Sequence, residues 1–218
     1  MKNTLEIEGV ILEYNQKSIL QDVYLKCETG HITGLLGRNG SGKTSLMNII
    51  YGNINAKNSS VRINSNVLHQ NYRNPEILRY LPQFNFIPKN FKIKRIFSHF
   101  RLDFDEFITL FSGFEKYEHS TIGKLSSGEK RIIEIYCILC SESQFCLLDE
   151  PFSQIMPLHI ETIKQLIIRE KKNKGILITD HLYQHIIDIC DEIYIIKDQK
   201  AYLTKSNSDI ESLGYISA

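Results

Sequence analysis

Neither sign of charge prevails in this chain: 26 lysines and arginines stand against 25 aspartates and glutamates, a net charge of +1. That balance excludes wholesale capture of nucleic acid or of an acidic membrane surface, which both need a concentrated field of one sign. Long hydrophobic runs are missing as well. The longest, such as Ile132 to Leu139, are short and broken by Glu134, so none can span a bilayer. Met1 is followed by a polar, alternating segment unlike a secretory leader, and a cytoplasmic location is expected. Paired cysteines are absent too: five, an odd count without paired spacing, argue against a disulfide framework. Cys137 and Cys140 do form C-x-x-C, but Ile138 and Leu139 between them and a helical setting favour core packing over metal. With no internal repeat and no low-complexity linker, 218 residues make one sizeable α/β domain with room for a small subdomain.

Against this plain background the stretch from His31 to Ile50 stands out. Gly37-Arg38-Asn39-Gly40-Ser41-Gly42-Lys43-Thr44 fits G-x-x-x-x-G-K-[ST] without a mismatch. Ile32 to Leu36 before it is an apolar run suited to a buried strand. Leu46, Ile49 and Ile50 after it have helical spacing. A phosphate loop requires this strand, loop and helix context. Gly37, Gly40 and Gly42 let the backbone curl and turn N–H groups onto a polyphosphate, and the helix that follows adds its positive end. Lys43 can reach the outer phosphates, and the Thr44 hydroxyl can complete the shell of a Mg²⁺ ion.

The rest of the chain supplies elements around that loop. Leu5 to Tyr14 and Val23 to Leu25, either side of a turn near Asn15 to Ser18, predict strands of an antiparallel edge sheet. Tyr14 can stack on a base or simply be a half-buried strand tyrosine. Tyr51 to Ser60 reads as a loop, Val61 to Leu68 as a short strand or hairpin, and Leu78 to Gln83 as a second apolar strand ending in a Pro and a Gln, the glutamine placed where it could bind a metal ion or a water. Ile93, Ile96, Phe97 and Phe100, then Phe104, Phe107, Ile108 and Phe111, predict two amphipathic helices whose stripes pack together or leave a groove. Ser126 and Glu129 suit a capping box for a helix over 132–139. Phe145 to Leu148 is a buried strand ending in Asp149 and Glu150. Asp149 can hold Mg²⁺, and Glu150 can orient or deprotonate a water. A helix from Leu158 to Lys172 follows, with Lys171, Lys172 and Lys174 expected as its solvated basic end. A strand at Ile176 to Thr179 leads into Asp180 and His181, the latter a possible donor to a γ-phosphate or a structural histidine. A helix near Leu182 to Cys190, strands at Ile193 to Ile196 and Ala201 to Thr204, and a polar tail complete the chain.

Taken together and in order, these residues resemble the ATP-binding cassette (ABC) ATPases over nearly the whole chain. Tyr14 sits where the family has its adenine-stacking aromatic, and Gly37 to Thr44 is similar to its Walker A loop. Gln83 matches the Q-loop glutamine, and Leu125 to Glu129 resembles the LSGGQ signature. Phe145 to Asp149 resembles Walker B, with Glu150 as the catalytic carboxylate, and His181 matches the switch histidine. Within the family, LSSGEKRIIEI (125–135), LLDEPF (147–152) and LITDH (177–181) look like the cassette subunit of lipopolysaccharide-export machines. Two departures stand out. Ser127 replaces the signature's first glycine, adding a side chain where a partner's γ-phosphate would approach. Met156 replaces the D-loop aspartate that connects two active sites in the family.

The resemblance implies an α/β P-loop fold with a mixed sheet core and an antiparallel β edge. Residues 1–83 and 145–218 would form the nucleotide-binding core, and about 84–144 a helical subdomain carrying the signature. It implies ATP and Mg²⁺ as cofactors. Tyr14, Gly37, Asn39, Gly40, Ser41, Gly42, Lys43, Thr44 and Ser45 would bind nucleotide, Ser126 and Gly128 would close on it from a second copy, and Thr44, Gln83 and Asp149 would surround the metal. Lys43, Gln83, Glu150 and His181 would carry hydrolysis. It further implies a homodimer, a transmembrane permease as partner and peripheral placement at the inner face of the cell membrane, without nucleic acid. The alternatives are a soluble ABC ATPase in an assembly or nucleic-acid process, favoured by coiled coils or a second cassette that this chain lacks, and a weakly hydrolysing nucleotide-binding module, suggested by Ser127 and Met156.

Overall fold

Alternation along the strands builds two cores on opposite faces of one sheet. In the computed structural model, which describes residues 2–68, 74–204 and 207–213, the chain opens with β1 (Thr4–Tyr14), β2 (Lys17–Glu28), β3 (Ile32–Gly37) and α1 (Lys43–Tyr51). Next come β4 (Asn58–Ile63), β5 (Asn66–Val67), β6 (Leu78–Leu81), α2 (Ile93–Phe100), α3 (Phe104–Leu110) and α4 (Ser127–Cys140). The final elements are β7 (Phe145–Asp149), α5 (Pro157–Glu170), β8 (Gly175–Thr179), α6 (Tyr183–Ile189), β9 (Glu192–Lys197), β10 (Lys200–Thr204) and α7 (Asn207–Ser212). Of the polar tail, residues 205, 206 and 214–218 lie outside the described residues.

Six strands form a mixed sheet in the order β10-β9-β3-β8-β7-β6, parallel except where β10 returns along β9. The other four form an antiparallel sheet, β2-β1-β4-β5. Phe145 and Leu147 of β7 face the space between the two sheets, where α1 buries Leu46, Met47, Ile49 and Ile50. Cys146 and Leu148 face the other way, onto α2 to α6. Burial on both faces explains why the central strands are apolar at most positions, with Thr33, Asp149 and Thr179 the buried polar exceptions in β3, β7 and β8.

The helical segment packs more tightly than an open groove requires. Phe97, Phe107 and Tyr136 pack within 5.0–5.9 Å between ring centroids, and Phe104, Phe111 and Phe114 extend the cluster. The stripes pack on each other, as expected: Phe97 and Phe107 are core, while Phe100 lines a cavity of about 390 Å³ with Phe86, Ile87, Phe91 and Ile96. This core is continuous with Leu148 and Ile178 of the mixed sheet. Ser126 caps α4 as expected: Glu129 N donates to Ser126 Oγ at 3.3 Å, and Ser126 N to Glu129 Oε2 at 2.8 Å.

Three expectations need correction. β2 runs over twelve residues, far beyond Val23 to Leu25, because backbone pairing with β1 recruits polar residues down to Lys17. β4 starts at Asn58 inside the expected loop, where the Asn58 side chain donates to Gly9 O at 2.8 Å. Lys174 is not a solvated helix end. It is 2% exposed, and its ammonium donates to the carbonyls of Leu139 and Ser141, both at 2.7 Å, at the C-terminus of α4.

Candidate functional site

The site forms at the C-terminal ends of β3, β7 and β8, where the parallel strands release their chains into loops. Gly42 caps α1 with φ near +103°, a conformation that L side chains rarely adopt. A Cβ there would also lie 2.8 Å from Leu20, so β2 presses directly on the loop. That contact brings the β1–β2 hairpin close, because Leu20 pairs with Leu12 and Lys17 with Tyr14 at the hairpin's end. Tyr14 is half exposed there.

Within the loop, Lys43 folds back to donate to the carbonyls of Gly37 at 2.8 Å and Arg38 at 3.3 Å. Burial pulls its ammonium below the ordinary lysine value, while Glu150, Asp149 and Asp180 oppose that shift. Ser41 Oγ is buried without a hydrogen-bond partner. A curled loop with an unused hydroxyl and a desolvated cation fits an oxyanion.

Asp149 ends β7 fully buried. Thr44 Oγ1 donates to its Oδ1 at 3.3 Å and the Tyr80 hydroxyl to its Oδ2 at 3.0 Å. Burial pushes this carboxyl above the usual aspartate range, and those hydrogen bonds only partly offset the effect. A buried carboxylate and a hydroxyl side by side are hard oxygen donors that suit Mg²⁺.

One residue on, Glu150 turns the chain with φ of 51°, and its N–H donates to Thr179 O at 2.7 Å. Two donors meet its Oε2, Gln83 Nε2 at 2.6 Å and Ser153 Oγ at 3.3 Å, and His181 Nε2 lies 2.7 Å from the same oxygen. Gln83 is thus paired with Glu150. It lies two residues past the end of β6 rather than in the strand. Asp180 is also buried; its carboxylate accepts from Phe152 N and Leu182 N, both at 2.9 Å, which fixes the loops that carry Ser153 and His181.

The structure therefore brings together Lys43, Thr44, Gln83, Asp149, Glu150 and His181, with Asn39, Gly40, Ser41 and Ser45 on the same loop and helix start. Ser126 and Gly128 stand apart from this cluster. Ser126 bonds to Glu129, and Gly128 packs so closely on the Gln154 carbonyl that a Cβ would lie 2.5 Å from it. Ser127 is exposed at the first turn of α4, and Met156 is 63% exposed.

Several contributors escape a reading of motifs. Arg131 donates to the carbonyls of Pro82 at 2.6 Å, Asp149 at 2.7 Å and Glu150 at 3.1 Å, tying the signature helix to both carboxylate loops. Glu134, one turn on, accepts from Phe86 N at 2.9 Å and Ile87 N at 3.0 Å. The available signal was a pair of charges on an otherwise apolar helix face. Tyr80, Asn48 and Ser153 gave none.

Comparison with known proteins agrees with this geometry. Residues 20–153 match the ABC transporter family. The lipopolysaccharide export system ATP-binding protein LptB of Haemophilus influenzae is 30% identical, with 92% of this chain and 89% of that protein covered. Its namesake from Escherichia coli K12 is 29% identical, with 88% and 86% covered. A solved ATP-binding subunit of an ABC transporter superposes with a TM-score of 0.81 at 23% identity, covering 98% of this chain and 95% of that one. A nucleotide-free ATP-binding cassette from an ABC transporter gives 0.78 at 17% identity, with 99% and 96% covered. With its phosphate loop, paired carboxylates and fold in agreement with these relatives, the chain belongs to the ABC transporter family as an ATP-binding, ATP-hydrolysing subunit.

Proposed function

We propose that this subunit hydrolyses ATP between two copies of itself and passes the resulting motion to a membrane-spanning partner. The convergence of Gln83 and His181 on one oxygen of Glu150, beside the Thr44–Asp149 pair, carries this reading. Amides from Gly37 to Ser45, with Asn39 and Ser41 among them, cradle the phosphates, and Lys43 leaves its loop carbonyls to neutralise them. Tyr14 stacks on the base. Thr44 and Asp149 hold Mg²⁺ with Gln83 nearby; the ion would draw negative charge from the γ-phosphate oxygens.

Glu150 orients the attacking water and takes its proton, while His181 donates to the γ-phosphate. Ser126 and Gly128 from the second copy close the site, which gives a two-fold dimer with two nucleotides. Ser127 adds a side chain to that closure and Met156 removes a carboxylate from it, relative to the family pattern. Residues of about 84–144 act as the arm facing the partner: Phe84, 70% exposed, adjoins the cavity lined by Phe86, Phe91 and Phe100. No helix among the described residues is long and apolar enough to cross a membrane. A separate permease and peripheral placement at the inner membrane face fit that observation. The relatives named for lipopolysaccharide export support an export role.

Substituting Glu150→Gln tests the chemistry: MgATP binding persists, turnover falls at least about a hundredfold, and an ATP-bound dimer accumulates in size exclusion. Unchanged turnover would remove Glu150 from this role. Recovery of a polytopic protein with the subunit from detergent-solubilised membranes tests the partner, and recovery of soluble complexes only would overturn it.

A further inference from the structure

A hydrogen-bond chain enters the site from behind, through residues that the phosphate-binding and carboxylate motifs leave out. Asn53 Nδ2 donates to Asn48 Oδ1 at 3.0 Å. Asn48 Nδ2 donates to Thr44 O at 2.8 Å and to the Tyr80 hydroxyl oxygen at 3.2 Å. The Tyr80 hydroxyl donates to Asp149 Oδ2 at 3.0 Å. Donor bookkeeping orients every link. A carbonyl oxygen only accepts, so the NH₂ end of Asn48 must face Thr44 O. Its second N–H then points at the tyrosine oxygen. A phenol has one proton, and with its oxygen already accepting from Asn48, that proton goes to Asp149.

The tyrosine is itself held in place. It is 7% exposed in β6, and its ring packs on Tyr51 with centroids 5.2 Å apart. Asp149 thus has its two oxygens distinguished: Oδ2 is anchored to the rigid sheet and Oδ1 is turned toward Thr44 Oγ1 at 3.3 Å. Without the anchor, the carboxylate could rotate about its terminal torsion, which is broad for aspartate.

We propose that Tyr80, oriented by Asn48, is a positioning residue that sets the Asp149 carboxylate to receive a divalent cation together with Thr44. This rests on the reading that Asp149 and Thr44 hold the cation beside ATP. The role belongs to an outer layer of a metal site, where partners of a ligand fix its direction without touching the metal. It predicts a defect in cation affinity separate from nucleotide affinity.

The test is Tyr80→Phe, which keeps the ring and its packing and deletes one oxygen. Binding of a fluorescent ATP analogue is titrated at increasing Mg²⁺, and Mn²⁺ binding to the protein–nucleotide complex is followed by electron paramagnetic resonance. The variant is expected to bind nucleotide without Mg²⁺ as the unsubstituted protein does, while the cation concentration for half-maximal effect rises about tenfold. Asn48→Leu, which frees the hydroxyl to turn away, is expected to shift the cation midpoint in the same direction by less. Equal cation midpoints in Tyr80→Phe and the unsubstituted protein would overturn the proposal. A parallel loss of Mg²⁺-free nucleotide binding would also overturn it, since that marks a purely structural role. Failure of the unsubstituted protein to bind nucleotide more tightly with Mg²⁺ would instead refute the cation reading on which the proposal stands.

Discussion

Glu150 occupies left-handed backbone, φ 51°, which costs a non-glycine residue roughly 1–2 kcal/mol. The surrounding structure offsets that cost: its N–H is bonded to Thr179 and its carbonyl to Arg131, so the turn is held from both sides. The result aims one carboxylate oxygen at Gln83 and His181, a direction that continuation of β7 would not produce. The cysteines show the opposite situation, reactive groups with nothing to do. Burial pushes the thiols of Cys27, Cys140 and Cys146 up to about 12, and those of Cys137 and Cys190 well above the ordinary value. At pH 7.5 such thiols stay almost wholly protonated, and the thiol is a far poorer nucleophile than the thiolate. The native protein is therefore expected to leave the five cysteines unmodified by a disulfide reagent over minutes and to yield all five after unfolding. Prompt native reaction of one cysteine would show that its element opens.

At the level of elements, the two ends of α4 find their partners in different ways. α4 begins with a local device, the Ser126–Glu129 capping box, legible as four consecutive residues. It ends with a distant one: Lys174, 35 residues beyond Leu139, fills carbonyls that no local side chain reaches. Replacing Lys174 with Met keeps the aliphatic stem and removes the donor. The expected cost is about 1–3 kcal/mol, for two carbonyls left short of a partner at a partly hydrated edge. Because Lys174 lies at the N-terminal edge of the mixed sheet, away from Asp149 and Asp180, ATP binding should be unchanged. Thermal unfolding with and without nucleotide measures both effects, and a Tm equal to that of the unsubstituted protein would refute the role. The spacing of apolar residues placed α2, α3 and α5 to within a residue or two. It misplaced the start of β4 and most of β2, because an edge strand takes its length from backbone pairing, which polar side chains neither require nor advertise.

For the molecule as a whole, the site is bought with stability. Asp149 and Asp180 are both raised above the ordinary aspartate value of 3.8, chiefly by burial. The folded chain therefore binds their protons more tightly than the unfolded chain does, and between the ordinary and the raised values stability falls as pH rises. Asp191, lowered mainly by the Lys171 ammonium and the Ile32 N–H despite its partial burial, contributes in the opposite sense and loses its stabilisation on acidification. Asp149→Asn is expected to raise the Tm of the nucleotide-free protein by about 2–4 °C at pH 8, for a gain of about 1 kcal/mol. The gain should shrink as the pH falls through the raised value of Asp149, where the native carboxyl also becomes neutral. The variant should lose Mg²⁺-dependent hydrolysis. A lower Tm at pH 8, by differential scanning fluorimetry, would show that the carboxylate's burial is already compensated.

The resemblance carried by the motifs in order implied the class of fold, and consecutive residues were enough to read the phosphate loop, the paired carboxylates at the end of β7 and the capping box. Each depends on backbone curvature, helix-end chemistry or apolar periodicity, all short-range effects. The convergence of Gln83 and His181 on Glu150, the line from Asn48 through Tyr80 to Asp149, the Arg131 bonds and the burial of Lys174 came only with the folded chain. The Gln83–Glu150 and Tyr80–Asp149 contacts join residues 67 and 69 positions apart. Such contacts exist because β6 lies beside β7, and β7 beside β8, in the parallel sheet. Strand order is set by how whole apolar faces are buried, a collective property that no single stretch of the chain carries.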